Sequence, residues 1–357
     1  MTNYVEEIKI IGLFGRFDLR KSFSPGVNVI YGKNGGGKTI LLHILANGLN
    51  GDYERFAFLD FRSIEIQFND CKLLIKRFRE QPSLLEDQGD FQSRDTIITI
   101  YIDNDPVARF SVSEIEKFEP SLQLKQFKPK KGRISSSKPL LPATYIPAFR
   151  TAIDAWKTIT KIRPTKEILE NQKININNKT TEFLRQWLLP FVPNVYYPSL
   201  AEIDQELENL RGQNSDILNQ FFNGVHSFLE NKRITFFQSE DDPKVPQVGI
   251  LYDDRTRSKG LRALSSGERQ IVMMIYALTY MDSSKVILLD EPEISLHIDW
   301  QRILLEKLSN QLKDRQIIAC THSPIIGADY DDFVTELNLT KFNDDNIASV
   351  EDEELPY

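Results

Sequence analysis

Four residues near the start of the chain have the types and the spacing that bind a phosphate chain. Gly32, Gly37, Lys38 and Thr39 fit the pattern G-x-x-x-x-G-K-[ST] within the sequence GKNGGGKT. The glycines allow several backbone N–H groups to point at one phosphate chain, the lysine can reach the β- and γ-phosphates, and the threonine hydroxyl can bind Mg²⁺. The residues of this loop that are predicted to bind a nucleotide are Gly32, Asn34, Gly35, Gly36, Gly37, Lys38 and Thr39.

Two adjacent carboxylates follow a second apolar stretch. The sequence KVILL at residues 285–289 is almost continuously apolar and leads directly into Asp290 and Glu291. Asp290 is placed to hold Mg²⁺ together with Thr39, and Glu291 is placed to orient or deprotonate an attacking water. An acidic pair after a strand can also be a surface turn, but the apolar run before it and Pro292 after it favour a functional site.

A third candidate group is the turn LSSGE at residues 264–268, which opens an apolar helix. Ser265 and Glu268 have the spacing of a capping box, so this helix has a well-defined positive end. The Ser265 hydroxyl and the Gly267 N–H could therefore bind a γ-phosphate. A capped helix without a ligand is the commoner meaning of this pattern, so the turn gains weight only beside the other motifs.

One histidine completes the candidate site. His322 closely follows the apolar sequence QIIAC at residues 316–320, and ligands of open α/β sheets bind at the carboxyl ends of strands. His322 can therefore hydrogen-bond a γ-phosphate or a water. His297 lies in a similar context, whereas His43 and His226 lie on helical stripes and are interpreted as structural. The predicted catalytic residues are Lys38, Glu291 and His322.

The elements that position these groups can be predicted from hydrophobic periodicity. Val27–Tyr31 favours a buried strand, followed by the glycine loop and by a helical run that Gly48 is expected to close. Further strands are predicted at residues 63–68, 72–78 and 96–102. Because polar connections join them, we expect an antiparallel meander beside the phosphate loop.

A hairpin is predicted ahead of the phosphate loop. Residues 6–23 carry alternating apolar side chains and turn near residues 15–16. Phe14 or Phe17 could stack on an adenine ring, although an aromatic side chain in a sheet is more often part of the core.

The middle of the chain, residues 115–245, begins with a shift to a polar, basic composition at residues 118–138. A polar loop carries Lys125, Lys128, Lys130, Lys131 and Arg133, and it could contact nucleic-acid phosphates or be a solvated loop. A short strand is predicted within ATYIPAFR at residues 143–150, and apolar stripes at helical spacing follow up to residue 232. The last stripe comprises Leu218, Phe221, Phe222, Val225 and Phe228. None of the stripes is long enough for a coiled coil.

Composition limits the class of protein. The chain has 357 residues with a net charge of −7, and its 27% charged and 41% hydrophobic residues are typical of a globular protein of one to three domains. No apolar run approaches the ~20 residues that span a bilayer. The N-terminal sequence lacks the features of a signal peptide. Cys71 and Cys320 have no metal-ligand spacing and favour reduced thiols, so we expect a cytoplasmic protein without membrane contact.

Together, the motifs GKNGGGKT, LSSGE, VILLDEPEISLH and the histidine after QIIACT resemble the ATPase core of the ABC superfamily, and within it the RecF, SMC and OLD-type heads. The sequences DEPEISLH, GLFGRFD and LSSGERQ are most similar to the ABC-like ATPases of bacterial anti-phage defence operons. The resemblance implies Walker A at Lys38 and Thr39, Walker B at Asp290 and Glu291, a D-loop at residues 295–297 and a switch histidine at His322. ATP and Mg²⁺ are the cofactors that it implies.

The resemblance also implies a fold and an assembly. The fold would be α/β, an ABC-type P-loop NTPase head with a mostly parallel sheet around the phosphate loop, an antiparallel β meander and an inserted, mainly helical lobe. Residues 1–114 and 246–357 would form the ATPase lobe, and residues 115–245 the inserted lobe. In the family, the turn that corresponds to Ser265 and Gly267 faces Walker A of a second subunit, which implies a homodimer closed around ATP.

Two departures from the family pattern are evident. Ser266 and Glu268 stand where the commonest signature has Gly and Gln, which implies weaker phosphate contacts. The glutamine of the Q-loop has no certain equivalent: Gln67 lies in a predicted meander strand, and Arg150 follows the strand after which that loop usually falls. The sequence contains no acidic cluster of the topoisomerase-primase nuclease type and no HNH-like metal pattern.

The function implied by the resemblance is Mg²⁺-dependent ATP hydrolysis in a dimer that controls a separate protein effector, such as a nuclease, in anti-phage defence. The alternative is a RecF-like DNA-repair head that binds DNA. A transporter ATPase is disfavoured because the insertion is long and the D-loop region differs.

Overall fold

The computed structural model describes residues 4–79, 95–116, 143–146, 193, 200–211, 215–238, 246–280, 286–311, 315–326, 328 and 334–342. The strands are β1 (Val5–Leu13), β2 (Phe17–Ser22), β3 (Val27–Tyr31), β4 (Ser63–Phe68), β5 (Lys72–Arg79), β6 (Thr96–Ile102), β7 (Asp105–Ser111), β8 (Ala143–Ile146), β9 (Lys232–Gln238), β10 (Pro246–Tyr252), β11 (Arg257–Lys259), β12 (Val286–Asp290), β13 (Gln316–Thr321), β14 (Val334–Glu336) and β15 (Thr340–Lys341). The α-helices are α1 (Lys38–Asn50), α2 (Val112–Glu116), α3 (Leu200–Leu210), α4 (Ser215–His226), α5 (Ser266–Tyr280) and α6 (Ile298–Gln311). Short 3-10 helices lie at Tyr53–Phe58 and Leu261–Ala263.

The five-stranded sheet that carries the phosphate loop is parallel throughout. Its strand order is β14-β3-β13-β12-β8, and every pair of neighbours is parallel. All residues of β12 and β13 are buried, which explains why both strands are nearly continuous apolar runs in the sequence. The register pairs Asp290 with Cys320 and Thr321 with Tyr31, so three strands end at the same edge of the sheet.

Helices and a second sheet cover the two faces of the parallel sheet. Because successive strand residues point to opposite faces, the side chains divide between two cores. One core contains Ile30, Val286, Leu288, Ile318 and Cys320 together with α1 and the seven-stranded sheet. The other contains Val29, Ile287, Leu289, Ile317 and Ala319 together with α5 and α6.

The seven-stranded sheet is antiparallel and has the order β15-β2-β1-β4-β5-β6-β7. It confirms the predicted hairpin β1–β2 and the predicted meander β4–β5–β6. The sequence analysis missed β7, which follows a tight turn at Asp103 and Asn104, both of which have positive φ. The prediction of a mostly parallel sheet therefore holds only for the five-stranded sheet, because short turns connect most of the other strands and short turns join antiparallel neighbours.

The end of helix α1 was predicted wrongly. The helix continues through Gly48 to Asn50, and Gly51 ends it with φ 75°. A Cβ atom at Gly48 would lie 2.9 Å from Cδ1 of Ile66 in β4. Gly48 therefore permits the close approach of α1 to the antiparallel sheet and does not terminate the helix.

The described helices α3 and α4 within residues 115–245 belong to the core that α5 and α6 share with the parallel sheet. Leu218, Phe221 and Val225, which belong to the last predicted stripe, lie on α4 and are buried in the same core as α5. The short strand predicted near residue 143 is β8, and it pairs with β12. The basic loop and the two earlier helical stripes lie outside the described residues, so the boundaries of an inserted lobe stay a prediction. Among the described helices, none has the length and apolar character needed to cross a membrane.

Candidate nucleotide-binding and catalytic site

The phosphate loop connects β3 to α1 through two glycines in the left-handed region. Gly35 has φ 78° and Gly37 has φ 86°, a conformation that non-glycine residues rarely adopt. The turn is closed by the Gly36 N–H, which donates to the carbonyl of Lys33 at 3.1 Å. As a result the thirteen-residue helix α1 directs its N-terminal N–H groups toward the carboxyl edge of the parallel sheet.

Lys38 is buried and folds back over the loop. Its Nζ donates hydrogen bonds to the carbonyl oxygens of Gly32 at 2.7 Å and Lys33 at 3.2 Å. The same ammonium lies 3.4 Å from Oε1 of Glu291. Lys38 therefore links the phosphate loop to the acidic turn that follows β12.

Thr39 and Asp290 are in direct contact. The Thr39 Oγ1–H donates to the two carboxylate oxygens of Asp290, with distances of 3.2 and 3.0 Å. The first turn of α1 carries the threonine, and the buried end of β12 carries the aspartate. These are the two residues predicted to hold Mg²⁺, and their oxygens are the donor type that Mg²⁺ prefers.

Glu291 joins Lys38 to His322. Oε2 of Glu291 accepts a hydrogen bond from the His322 backbone N–H at 3.1 Å and also contacts His322 Nδ1. A carboxylate oxygen can accept a hydrogen bond from Nδ1 only when Nδ1 carries the imidazole proton, so the contact favours that tautomer. The structure thus brings the three predicted catalytic residues into one chain of contacts.

Glu293, which the sequence analysis did not single out, lies beside this chain. It is 5% exposed, and its Oε1 accepts hydrogen bonds from Thr321 Oγ1–H and from the backbone N–H groups of His322 and Ser323. Burial raises the pKa of Glu293 to about 7, with the Glu291 carboxylate acting in the same direction and the Thr321 hydroxyl against it. The second glutamate of the sequence DEPE was the signal that could have identified it.

The turn LSSGE at residues 264–268, called the signature turn from here on, forms the predicted capping box. The Ser265 N–H donates to Oε2 of Glu268 at 2.8 Å, and the Glu268 N–H donates to Ser265 Oγ at 3.4 Å. Lys232 on β9 adds an ion pair, with Nζ 2.9 Å from Oε1 of Glu268. Burial tends to raise the pKa of Glu268, but the Lys232 ammonium and the Ser265 groups outweigh it and leave the pKa lowered.

The signature turn packs against Ser295 and Leu296, within the stretch that the resemblance implies is a D-loop. A Cβ atom at Gly267 would lie 2.7 Å from the carbonyl oxygen of Ser295, so only a glycine fits there. Ser295 itself has φ 71°. Within the described part of the chain, no hydrogen bond joins Ser265 to the phosphate loop.

The two aromatic candidates for adenine stacking differ in exposure. Phe14 is 46% exposed, with φ 55° in the β1–β2 turn, whereas Phe17 is partly buried against the core.

Gln67, one of the two Q-loop candidates, donates its side-chain amide to the carbonyls of Phe68 and Cys71, so it stabilises the β4–β5 turn. Arg150, the other Q-loop candidate, lies outside the described residues.

The other three histidines differ in burial: His43 and His226, which were interpreted as structural, are buried and half-buried, whereas His297 is exposed. His43 is buried on α1, and burial lowers its pKa to about 4, with the charge of Arg55 acting in the same direction. His226 Nε2 accepts a hydrogen bond from the Ile234 N–H at 3.0 Å. His297 is exposed on the D-loop, and its Nδ1 lies 3.1 Å from Asp299 Oδ2.

Comparisons with known proteins give one family and several relatives. A family model described as "AAA domain, putative AbiEii toxin, Type IV TA system" matches residues 27–329. The "Septu protein PtuA" of Bacillus thuringiensis is 23% identical over 340 residues, which cover 90% of this chain and 72% of that protein. The "Retron Ec83 probable ATPase" of Escherichia coli is 24% identical over 179 residues, which cover 46% of this chain and only 31% of that protein.

Solved structures of SMC heads are also similar. The Smc head domain of Pyrococcus furiosus, bound to the C-terminal domain of ScpA, has a TM-score of 0.45 at 14% identity and covers 98% of both chains. The SMC head domain from Thermotoga maritima has a TM-score of 0.41 at 14% identity, covering 95% of this chain and 99% of that one.

Proposed function

The chain belongs to the ATPase family described as "AAA domain, putative AbiEii toxin, Type IV TA system", and we propose on that premise that it binds and hydrolyses ATP with Mg²⁺ in order to control a separate effector. The predicted membership of an ATPase family is confirmed by the family match and by a relative that is named an ATPase. The roles of single residues, the dimer and the effector are parts of the proposal.

The observation that carries the proposal is the convergence of Lys38, Thr39, Asp290, Glu291 and His322 at one edge of the parallel sheet. ATP would bind with its phosphates in the loop, where Lys38 would exchange its carbonyl partners for phosphate oxygens. Glu291 would orient and deprotonate the attacking water. His322 would hold the γ-phosphate or that water.

The residues present also fit a magnesium ion. The Thr39 hydroxyl and the Asp290 carboxylate provide adjacent oxygen ligands, and Mg²⁺ is usually bound by few protein oxygens together with phosphates and water. When bound, Mg²⁺ would neutralise charge that develops on the phosphates.

A dimer would complete the site. Gly267 at the start of α5 packs against Ser295 and Leu296, and among the described residues no hydrogen bond joins Ser265 to the phosphate loop of its own chain. In a two-fold dimer the signature turn of each subunit would bind the ATP held by the other. ATP binding would then bring the two subunits together.

Control of an effector would act through the section after residue 200. Asp204 on α3 accepts a hydrogen bond from the Leu261 N–H at 3.2 Å. Leu261 lies three residues before Leu264, where the signature turn begins. Lys232 on β9 pairs with Glu268 at the signature turn. A displacement of α3 or β9 by a bound protein would therefore move the turn that completes the partner's site. Residues 115–245 would accordingly form the effector-binding lobe.

Anti-phage defence is the setting that the relatives favour, because they are named for a retron and for the Septu system. The direct test is ATP hydrolysis by the purified protein with Mg²⁺, with Lys38→Ala as the inactive control. Wild-type protein that releases no more phosphate than Lys38→Ala would refute the proposal. Affinity purification from native cells with ATP and without it would then identify the effector.

A RecF-like DNA-binding head is the second candidate, and the basic loop is the feature that favours it. DNA binding through Lys128, Lys130 and Lys131 would be steeply salt-dependent. The variant with all three changed to Ala should lose DNA binding and in-cell activity together if DNA is the partner. If a protein effector is the partner, that variant should keep its in-cell activity.

A further inference from the structure

Glu293 lies in a tight turn between the Walker B residues and the D-loop. The turn is closed by the Ile294 N–H, which donates to the Glu291 carbonyl at 3.2 Å, and by the Leu296 N–H, which donates to the Glu293 carbonyl at 2.9 Å. Glu291 and Ser295 both have positive φ, at 46° and 71°. Such conformations persist only where surrounding contacts determine them, and they cluster at functional sites.

One carboxylate oxygen of Glu293 accepts hydrogen bonds from three consecutive residues, 321–323, at the end of β13. Thr321 Oγ1–H donates to Oε1, the His322 N–H donates at 3.3 Å and the Ser323 N–H donates at 3.2 Å. Successive backbone N–H groups that converge on one acceptor oxygen fix the position of the chain segment that carries them. Oε2 of Glu293 is buried, and among the described residues it has no hydrogen-bond partner.

The loop held in this way carries the histidine of the candidate site. The His322 N–H is shared between Glu293 and Glu291, and the ring Nδ1 contacts Glu291. With Nδ1 directed at Glu291, Nε2 is the ring nitrogen that remains for a phosphate or a water. The direction of the ring therefore depends on where the backbone of residues 321–323 lies.

A second contact holds the same loop from the side of α6. Ser323 Oγ–H donates to Gln301 Oε1 at 2.9 Å, and Gln301 Nε2 donates to the Leu296 carbonyl at 3.0 Å. The loop of residues 321–323 is therefore held at Ser323 by Gln301 and along its length by the Glu293 carboxyl group.

We infer that Glu293 is a positioning residue for His322: as a hydrogen-bond acceptor for residues 321–323, it sets the tautomer and direction of the imidazole. This inference rests on the proposed ATPase function, but it makes no use of a charge on Glu293. A glutamine retains an oxygen at the position of Oε1, whereas an alanine retains none. Acceptor function and charge can therefore be separated by substitution.

The experiment compares Glu293→Ala with Glu293→Gln in steady-state ATP hydrolysis. Glu293→Ala should lower kcat by about 10–100-fold, the usual cost of losing a supporting hydrogen bond behind a functional ligand, with KM changed by less than about threefold. Glu293→Gln should recover most of the loss. In a His322→Ala background, Glu293→Ala should add less than about threefold, because residues that act through one another are not additive.

A second readout does not depend on hydrolysis. Nitrogen-15 NMR of the four imidazoles, assigned with His322→Asn, should show His322 protonated at Nδ1 in wild type and in Glu293→Gln. Glu293→Ala should shift His322 toward a mixture of tautomers. If wild type hydrolyses no ATP while this pattern is present, the proposed function fails and the positioning role stands.

Three results would overturn the inference. The first is an unchanged His322 tautomer in Glu293→Ala. The second is a Glu293→Ala substitution that lowers kcat in the His322→Ala background by the same factor as in wild type. The third is a Glu293→Gln variant as impaired as Glu293→Ala. Two variants of Thr321 test the same contact if the Glu293 variants misfold. Thr321→Val removes the hydroxyl that donates to Glu293 and should change kcat and the His322 tautomer in the same direction as Glu293→Ala. Thr321→Ser keeps the hydroxyl and should behave like wild type.

Discussion

Lys38 Nζ lies 3.4 Å from Oε1 of Glu291. The same ammonium also donates to the carbonyls of Gly32 and Lys33, so its three donors face the phosphate loop on one side and the proposed base on the other. In the proposed mechanism one lysine is therefore shared between nucleotide binding and catalysis, and substitutions on either side of it should separate the two.

Glu291→Gln should keep ATP binding and lose turnover. The amide removes a negative charge beside Lys38 and the phosphate loop, so ATP should bind at least as tightly as it does to wild type. Hydrolysis should fall by about 100-fold or more, the scale expected for loss of a positioned base. Fluorescent-nucleotide titration and phosphate release measure the two effects. Lys38→Ala is the matched control and should lose binding itself; wild-type turnover in Glu291→Gln would refute the role of Glu291.

Complementation between two inactive variants tests the composite site. Lys38→Ala leaves the signature turn intact, and Ser265→Arg leaves the phosphate loop intact. A heterodimer of the two would have one site with both functional parts, so the mixture should regain activity that neither variant has alone. Light scattering should show an ATP-dependent dimer, most clearly in Glu291→Gln. A fully active protein that remains monomeric at saturating ATP would contradict the dimer.

His43 should make the fold sensitive to acid. Its pKa is lowered from 6.5 to about 4 in the folded protein, so its contribution to stability is complete above pH 6.5 and is lost as the pH falls toward 4. Over that range the contribution should decrease by about 3 kcal/mol, since one pKa unit corresponds to about 1.4 kcal/mol. Urea unfolding of wild type and His43→Leu at pH 7.5 and pH 4.5 measures the difference, and equal pH dependence in the two proteins would exclude this role.

The phosphate loop, the acidic pair and His322 could be predicted because each adjoins a short apolar strand, and parallel strands place such groups at one edge. The end of α1 could not, since Gly48 looks like a helix stop until Ile66 of β4 is known to pack on it. Glu293 was missed for a similar reason. The sequence DEPE shows a second glutamate, but the partners of its side chain, Thr321 to Ser323, come from another strand, and local sequence does not reveal contacts across a sheet.

The last prediction concerns the ion pair between Lys232 and Glu268, which joins β9 to the signature turn. Lys232→Met leaves the buried Glu268 carboxylate with the Ser265 N–H but without its ammonium partner. Loss of one partner of a charged hydrogen bond costs about 1–3 kcal/mol, so the melting temperature should fall. If β9 controls the turn, ATP-dependent dimerisation should weaken by a larger factor than ATP binding to the monomer.

Lys232→Arg is the matched control for that prediction. Arginine keeps the positive charge and can retain the contact with the Tyr252 ring, which lies 5.5 Å from Lys232 Nζ. It should preserve dimerisation. If Lys232→Met weakens dimerisation and ATP binding to the monomer by the same factor, the ion pair stabilises the fold but does not control the signature turn. If Lys232→Met weakens dimerisation more than ATP binding to the monomer, and Lys232→Arg does not, then the sheet of β9, β10 and β11 controls the position of the signature turn, as effector control requires.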